Sequence, residues 1–110
     1  MLVTYLNKYI NMDFKIPSKI SIGGIDLDVK IVQNIPNTSL LGECCLSEGY
    51  IKIAETADGY NQSKSSKEVT FFHELIHCIL DVMNESELSS NEKFVSTFSA
   101  LLAGAIKSAK

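Results

Sequence analysis

Residues 73–77 read His-Glu-Leu-Ile-His, and both of the chain's histidines lie in them. On a helix, one turn separates the two, so both imidazoles leave the same face with Cβ atoms about 5–6 Å apart. Two imidazoles placed this way can share one tetrahedral ion, typically Zn²⁺ at about 2.0–2.1 Å from each nitrogen. Glu74 is turned about 100° from His73 around the helix, beside such an ion rather than on it. There a carboxylate can take a proton from a water acidified by the ion and later pass it to a leaving group. With this composition, a chance H-E-x-x-H in the chain has odds of roughly 0.3%. Two histidines and a glutamate buried on an apolar helix without a metal would be costly to satisfy.

A third protein ligand is needed. With no further histidine in the chain, a site of three histidines is excluded, and Leu80 and Met83 stand where an extended H-E-x-x-H-x-x-G-x-x-H motif has Gly and His. Asp81 faces the same way as His77 but lies too far along the helix to reach the ion. It fits better as the acceptor for a ligand imidazole's other nitrogen. Glu92 opens a second helical stretch and is the better third ligand, with Glu85 and Glu87 as alternatives. Ser89-Ser90-Asn91-Glu92 also fits a capping box, in which Glu92 would fold back onto Ser89. Spacing alone does not separate the two roles.

The elements that must position these residues follow from periodicity. Ile20 and Ile22, then Ile25, Leu27, Val29 and Ile31, alternate with polar residues on either side of Gly23-Gly24, a hairpin pattern. Two short strands follow, over 42–46 and 50–54, joined by a Ser47-Glu48-Gly49 turn. Residues 61–67 and 84–91 read as polar loops, and Ser65-Ser66-Lys67-Glu68 as a capping box opening a helix that runs to about Met83. That helix is apolar on nearly all sides, which predicts burial in the middle of the domain. In the second helix Phe94, Val95, Phe98, Leu101, Leu102, Ala105 and Ile106 form a stripe expected to face inward, leaving Lys93 and Lys107 in solvent. Strands first and helices second predict one α+β domain over residues 1–110, with 1–14 as an N-terminal arm or short helix.

The 110 residues are 45% hydrophobic and 21% charged, a balance that suits one globular core. The net charge is −3 and every basic residue is a lysine. Nucleic-acid binding is a poor fit, because phosphate and guanine contacts lean on the arginine fork. The longest apolar run, about 100–106, is far short of the ~20 residues that span a membrane. Three cysteines, two of them adjacent, do not suggest a disulfide framework. They point to a reducing cytoplasm. Cys44 and Cys45 read as strand packing and Cys78 as core.

The active helix resembles that of the zincin metallopeptidases. More narrowly, the chain resembles the short ImmA/IrrE-type and related phage or mobile-element metallopeptidases, which are gluzincin-like. In that family the third ligand is the Glu that opens E-x-x-A-N-x-F-A-x-x-L. The matching residues here are Glu92, Val95, Ser96, Phe98, Ser99 and Leu102, with Val for Ala and Ser for Asn. The resemblance implies a minimal zincin-like domain: a small, mainly antiparallel twisted sheet, then an active-site helix and a second, ligand-bearing helix. It implies one Zn²⁺ on His73, His77 and Glu92, with Glu74 as general base in hydrolysis of a polypeptide. It also places strand 50–54 at the sheet edge beside the cleft. A transition-state stabiliser is expected among the tyrosines, with Tyr50 and Tyr60 ahead of Tyr5 and Tyr9. The other expectation is a slow or non-catalytic module that keeps the metal and captures a protein such as a repressor.

Overall fold

The computed structural model describes residues 14–110. The expected arm or short helix over 1–14, with Tyr5 and Tyr9, lies outside the described residues except for Phe14. That ring packs 4.9 Å from Phe72 and 5.8 Å from Phe71 between centroids.

Four strands, β1 (Lys19–Ile22), β2 (Ile25–Val32), β3 (Gly42–Cys45) and β4 (Tyr50–Ala54), form one sheet in the order β1-β2-β4-β3. β5 (Thr56–Ala57) and β6 (Tyr60–Asn61) form a small separate ribbon. Three helices follow: α1 (Lys64–Val82), α2 (Ser86–Ser90) and α3 (Glu92–Ser108). This is the expected small α+β fold. Among the described residues, no helix is long and apolar enough to cross a membrane.

β1 and β2 pair antiparallel through a turn in which Gly23 and Gly24 have φ of +56° and +83°, a conformation open to glycine at little cost. β3 and β4 also pair antiparallel, but β2 and β4 run parallel. That parallel pairing corrects the edge assignment. β4 is interior, with Ile51, Ile53 and Ala54 fully buried, and β3 is the edge strand. A strand covered by neighbours on both sides needs apolar side chains, whereas β3 carries Gly42, Glu43, Cys44 and Cys45 and is mostly half-buried.

The sheet's inner face, with Leu27, Val29, Ile51 and Ile53, meets Phe71 and Phe72 of α1 to make the core. Ile76 and Leu80 of α1 meet Val95 of α3 in a second cluster. α3 turns Val95, Ser99 and Ala103 inward, while Phe98, Leu101 and Ile106 stay exposed. The expected single inward stripe is therefore split: Phe94 and Leu102 also pack, half-buried, against the core clusters, whereas Ala105 is exposed with Phe98, Leu101 and Ile106.

The caps also differ from the expected ones. Ser63, not Ser65, caps α1, its Oγ accepting the Ser66 amide at 3.0 Å. Glu68 does not reach back. It is buried and ion-paired to Lys107 Nζ at 2.6 Å, tying the start of α1 to the end of α3. A buried carboxylate needs such a partner, which is why Lys107 is not free in solvent. Residues 64–67 and 86–90 are helical rather than loop. α1 ends on Asn84 at φ +63°, with the Glu85 amide donating to Leu80 O and the Asn84 amide to Asp81 O, a Schellman ending that turns the chain toward α2.

Cys44 and Cys78 form a disulfide, which corrects the reading of these residues as unbonded packing. Adjacent strand residues face opposite ways, so Cys44 alone meets the helix while Cys45 remains a free thiol. The bond spans 34 residues of sequence, and loops of this size are typically stabilised by about 2–4 kcal/mol.

Candidate metal centre

His73 and His77 lie on α1 and Glu92 is the first residue of α3. The side-chain atoms converge: His73 Nε2 is 3.2 Å from His77 Nε2, 3.2 Å from Glu92 Oε2, and His77 Nε2 is 3.2 Å from Glu92 Oε1. Donors of a tetrahedral zinc at bond lengths of about 2.0–2.1 Å are about 3.3–3.4 Å apart, so the three residues fit that ion. Two imidazoles and a carboxylate also match the donor types zinc takes in catalytic sites. Among the described residues, this is the one cluster of three His, Cys, Asp or Glu side chains with that convergence.

Glu92 faces the histidines because another residue caps α3. Asn91 is the N-cap, its Oδ1 accepting the Phe94 amide at 3.0 Å, so the expected alternative in which Glu92 folds onto Ser89 is not formed. Ser89 is buried and instead has its Oγ 3.1 Å from His77 Nδ1. A partner on Nδ1 fixes the ring and directs Nε2 to the ion position. Asp81, expected at an imidazole's outer nitrogen, is exposed. Glu85 and Glu87 are exposed on and before α2, outside the cluster. Burial and the neighbouring His77 lower the His73 pKa against the opposing pull of Glu92, favouring the neutral imidazole that binds metals.

Glu74 is half-buried beside the ligands. Burial, with Glu92 and Glu43 adding to it, pushes its carboxyl up to about 7 in the metal-free protein. Its seat is made by Gly42 of β3. A Cβ at residue 42 would lie 2.6 Å from Thr70 Cγ2 and 2.9 Å from Glu74 Cγ, so only glycine lets the edge strand come this close. The sequence signal was available, a glycine opening a strand, but its helix partner was not. Gln62 holds the same corner together: its Nε2 donates to Ala54 O and Leu41 O, and its Oε1 accepts from Ser66 and Thr70. Gly42→Ala is expected to push β3 off Glu74 and to cost about 1–3 kcal/mol, the usual range for overpacking. The convergence of His73, His77 and Glu92 should persist, because these residues are on α1 and α3, and any metal they hold should stay. Thermal unfolding with metal analysis checks both.

From His73 and Glu74 a cleft of about 560 Å³ runs between α1, α3 and the segment before β3, past Leu40, Leu41, Val69 and Ser96. That is ample for one side chain and adjoining backbone of an extended chain. The two described tyrosines are elsewhere. Tyr50 lies on the sheet face away from α1, donating its hydroxyl to Glu43 Oε1 at 2.6 Å. That hydrogen bond pushes its pKa up to about 12. Tyr60 is 79% exposed on β6. The structure brings neither to the ligands.

No family model, curated protein or solved structure matches the chain. The functional reading therefore rests on the site itself.

Proposed function

We propose that the chain is a zinc-dependent metallopeptidase of gluzincin type. The observation that carries this reading is the convergence of His73, His77 and Glu92 with Glu74 beside them at the head of an open cleft. His73 and His77 would hold the ion through Nε2, and Glu92 through its carboxylate. Zinc bound there would supply a Lewis acid that acidifies a water and polarises a carbonyl.

The chain's own residues do the rest. Glu74 takes the proton from the attacking water and returns it to the amine that leaves, and its half-buried position keeps competing bulk water away. Ser89 holds His77 in the orientation the site requires. The substrate is a polypeptide in extended form, laid along β3. Among the described residues that strand has one sheet neighbour, which leaves its outer edge for strand addition.

The test is cleavage of an unfolded polypeptide such as casein. Zinc-loaded protein should cleave it, a chelator should stop the reaction, and added Zn²⁺ should restore it. Protein that carries one zinc per chain and cleaves no polypeptide under any of these conditions would refute the peptidase reading.

A further inference from the structure

The site described so far leaves the Cys44–Cys78 bond without a role. Its position is specific. Gly42 and Cys44 are two residues apart on β3 and face α1, while Glu74 and Cys78 are four apart on α1 and face β3. Two strand residues advance about 6.6 Å and four helical residues about 6 Å, so the two contacts form successive rungs between strand and helix. One rung is the seat of Glu74 against Gly42, and the next is the disulfide.

The bond fastens a weakly held element. β3 is four residues long, has one sheet neighbour among the described residues, and buries only Gly42 fully. The metal ligands are on α1 and α3, and Leu27, Val29, Ile51 and Ile53 meet Phe71 and Phe72 without β3; the strand reaches this core through the bond, with Cys78 buried in it and Cys44 packed against it. Opening the bond therefore loosens the cleft edge and leaves the ligands and the rest of the core in place. Cys44 is half-buried on the sheet edge whereas Cys78 is fully buried, so an outside thiol approaches the bond from the Cys44 side.

We propose that the Cys44–Cys78 pair is a redox catch on the cleft: closed, it holds β3 against Glu74; opened by a dithiol, it releases β3 and slows catalysis without releasing zinc. The exchange balances. A reductant thiolate attacks Cys44 Sγ, and Cys78 leaves as a thiolate and takes up a proton. The reductant's second thiol then attacks the mixed disulfide and frees Cys44. The dithiol ends as a disulfide, having given two electrons and two protons to the protein. Cys45 points to the other sheet face, with its Sγ 3.4 Å from Ser47 Oγ, and takes no part. In a reducing compartment, bonds of this kind are those that sense redox state. The effect on turnover rests on the peptidase reading, but the mechanical release of β3 does not.

The experiment compares oxidised protein, protein reduced with dithiothreitol that is removed before zinc is added, Cys44→Ser, and Cys45→Ser as a control that keeps the bond. Alkylation by N-ethylmaleimide in denaturant should mark one thiol in the oxidised protein and three in the reduced, as only Cys45 is free with the bond closed. Amide hydrogen exchange over 42–45 should rise about tenfold or more in the reduced protein and in Cys44→Ser, and by a larger factor than in the middle of α1. Zinc stoichiometry should stay the same, and casein cleavage should fall about 10- to 100-fold, the scale of a small misplacement at a catalytic group. The catch is overturned if exchange at β3 does not change, if it rises while cleavage is undiminished, if zinc leaves with the bond, or if reduction unfolds the whole domain. Faster β3 exchange with no cleavage in any redox state would uphold the release of the strand and refute the peptidase instead.

Discussion

Glu74→Gln is expected to keep the fold and the zinc while abolishing cleavage. The side chain sits beside His73, His77 and Glu92 and is not part of their convergence. The amide is nearly isosteric, so it keeps the contact with Gly42. What it loses is the ability to accept a proton from the attacking water and hand it to the leaving amine. Groups in that role are worth about 10²–10⁴ in rate. Peptide cleavage by zinc-loaded wild type and variant, with metal content measured on the same samples, checks the expectation. If the chain instead captured a protein partner, the variant would capture it as well as wild type and neither would cut it. Equal cleavage by both would remove Glu74 from the chemistry.

Removing a ligand should have the opposite pattern, loss of metal first. His73→Ala and His77→Ala each leave two of the three converging side chains, too few to hold zinc tightly. Glu92→Gln should also lose the ion. Asn91 caps α3, so the same substitution should cost the helix only about 0.3–1 kcal/mol through its terminal dipole. Glu85→Gln and Glu87→Gln should leave zinc affinity unchanged. Ser89→Ala should weaken it about 10- to 100-fold, the usual effect of losing a ligand's outer partner. With wild type, zinc at 1,000 times its Kd should raise stability by about 4 kcal/mol, and this gain should vanish in the histidine variants. Titration against a competing chelator, with melting followed in parallel, separates lost metal from lost fold. Full zinc affinity in both histidine variants would dismiss the centre.

Much of this site was legible in residues close together in sequence. His73 and His77 share a face, and Glu74 stands beside them, because helical periodicity is a local property set over one turn. The β1–β2 hairpin was equally local, since Gly23 and Gly24 supply the positive φ values that its turn needs. The order of strands before helices gave the fold class for the same reason.

What the tertiary structure decided were choices between local options of similar energy. Ser63 and Ser65, or Ser89 and Asn91, are both competent caps, and cap preferences among these residue types differ little. Packing selected Ser63 and Asn91. That choice left Glu68 to pair with Lys107, Ser89 to meet His77, and Glu92 to face the histidines. The edge of the sheet was decided in the same way, because the parallel pairing of β2 with β4 joins segments about twenty residues apart and leaves no short-range pattern. Cys44 and Cys78 are separated by 34 residues, and only the docking of β3 on α1 brings their sulfurs together. A contact across such a distance in sequence carries the entropic cost of closing a long loop, so its partners are set by the packed core rather than by either segment alone.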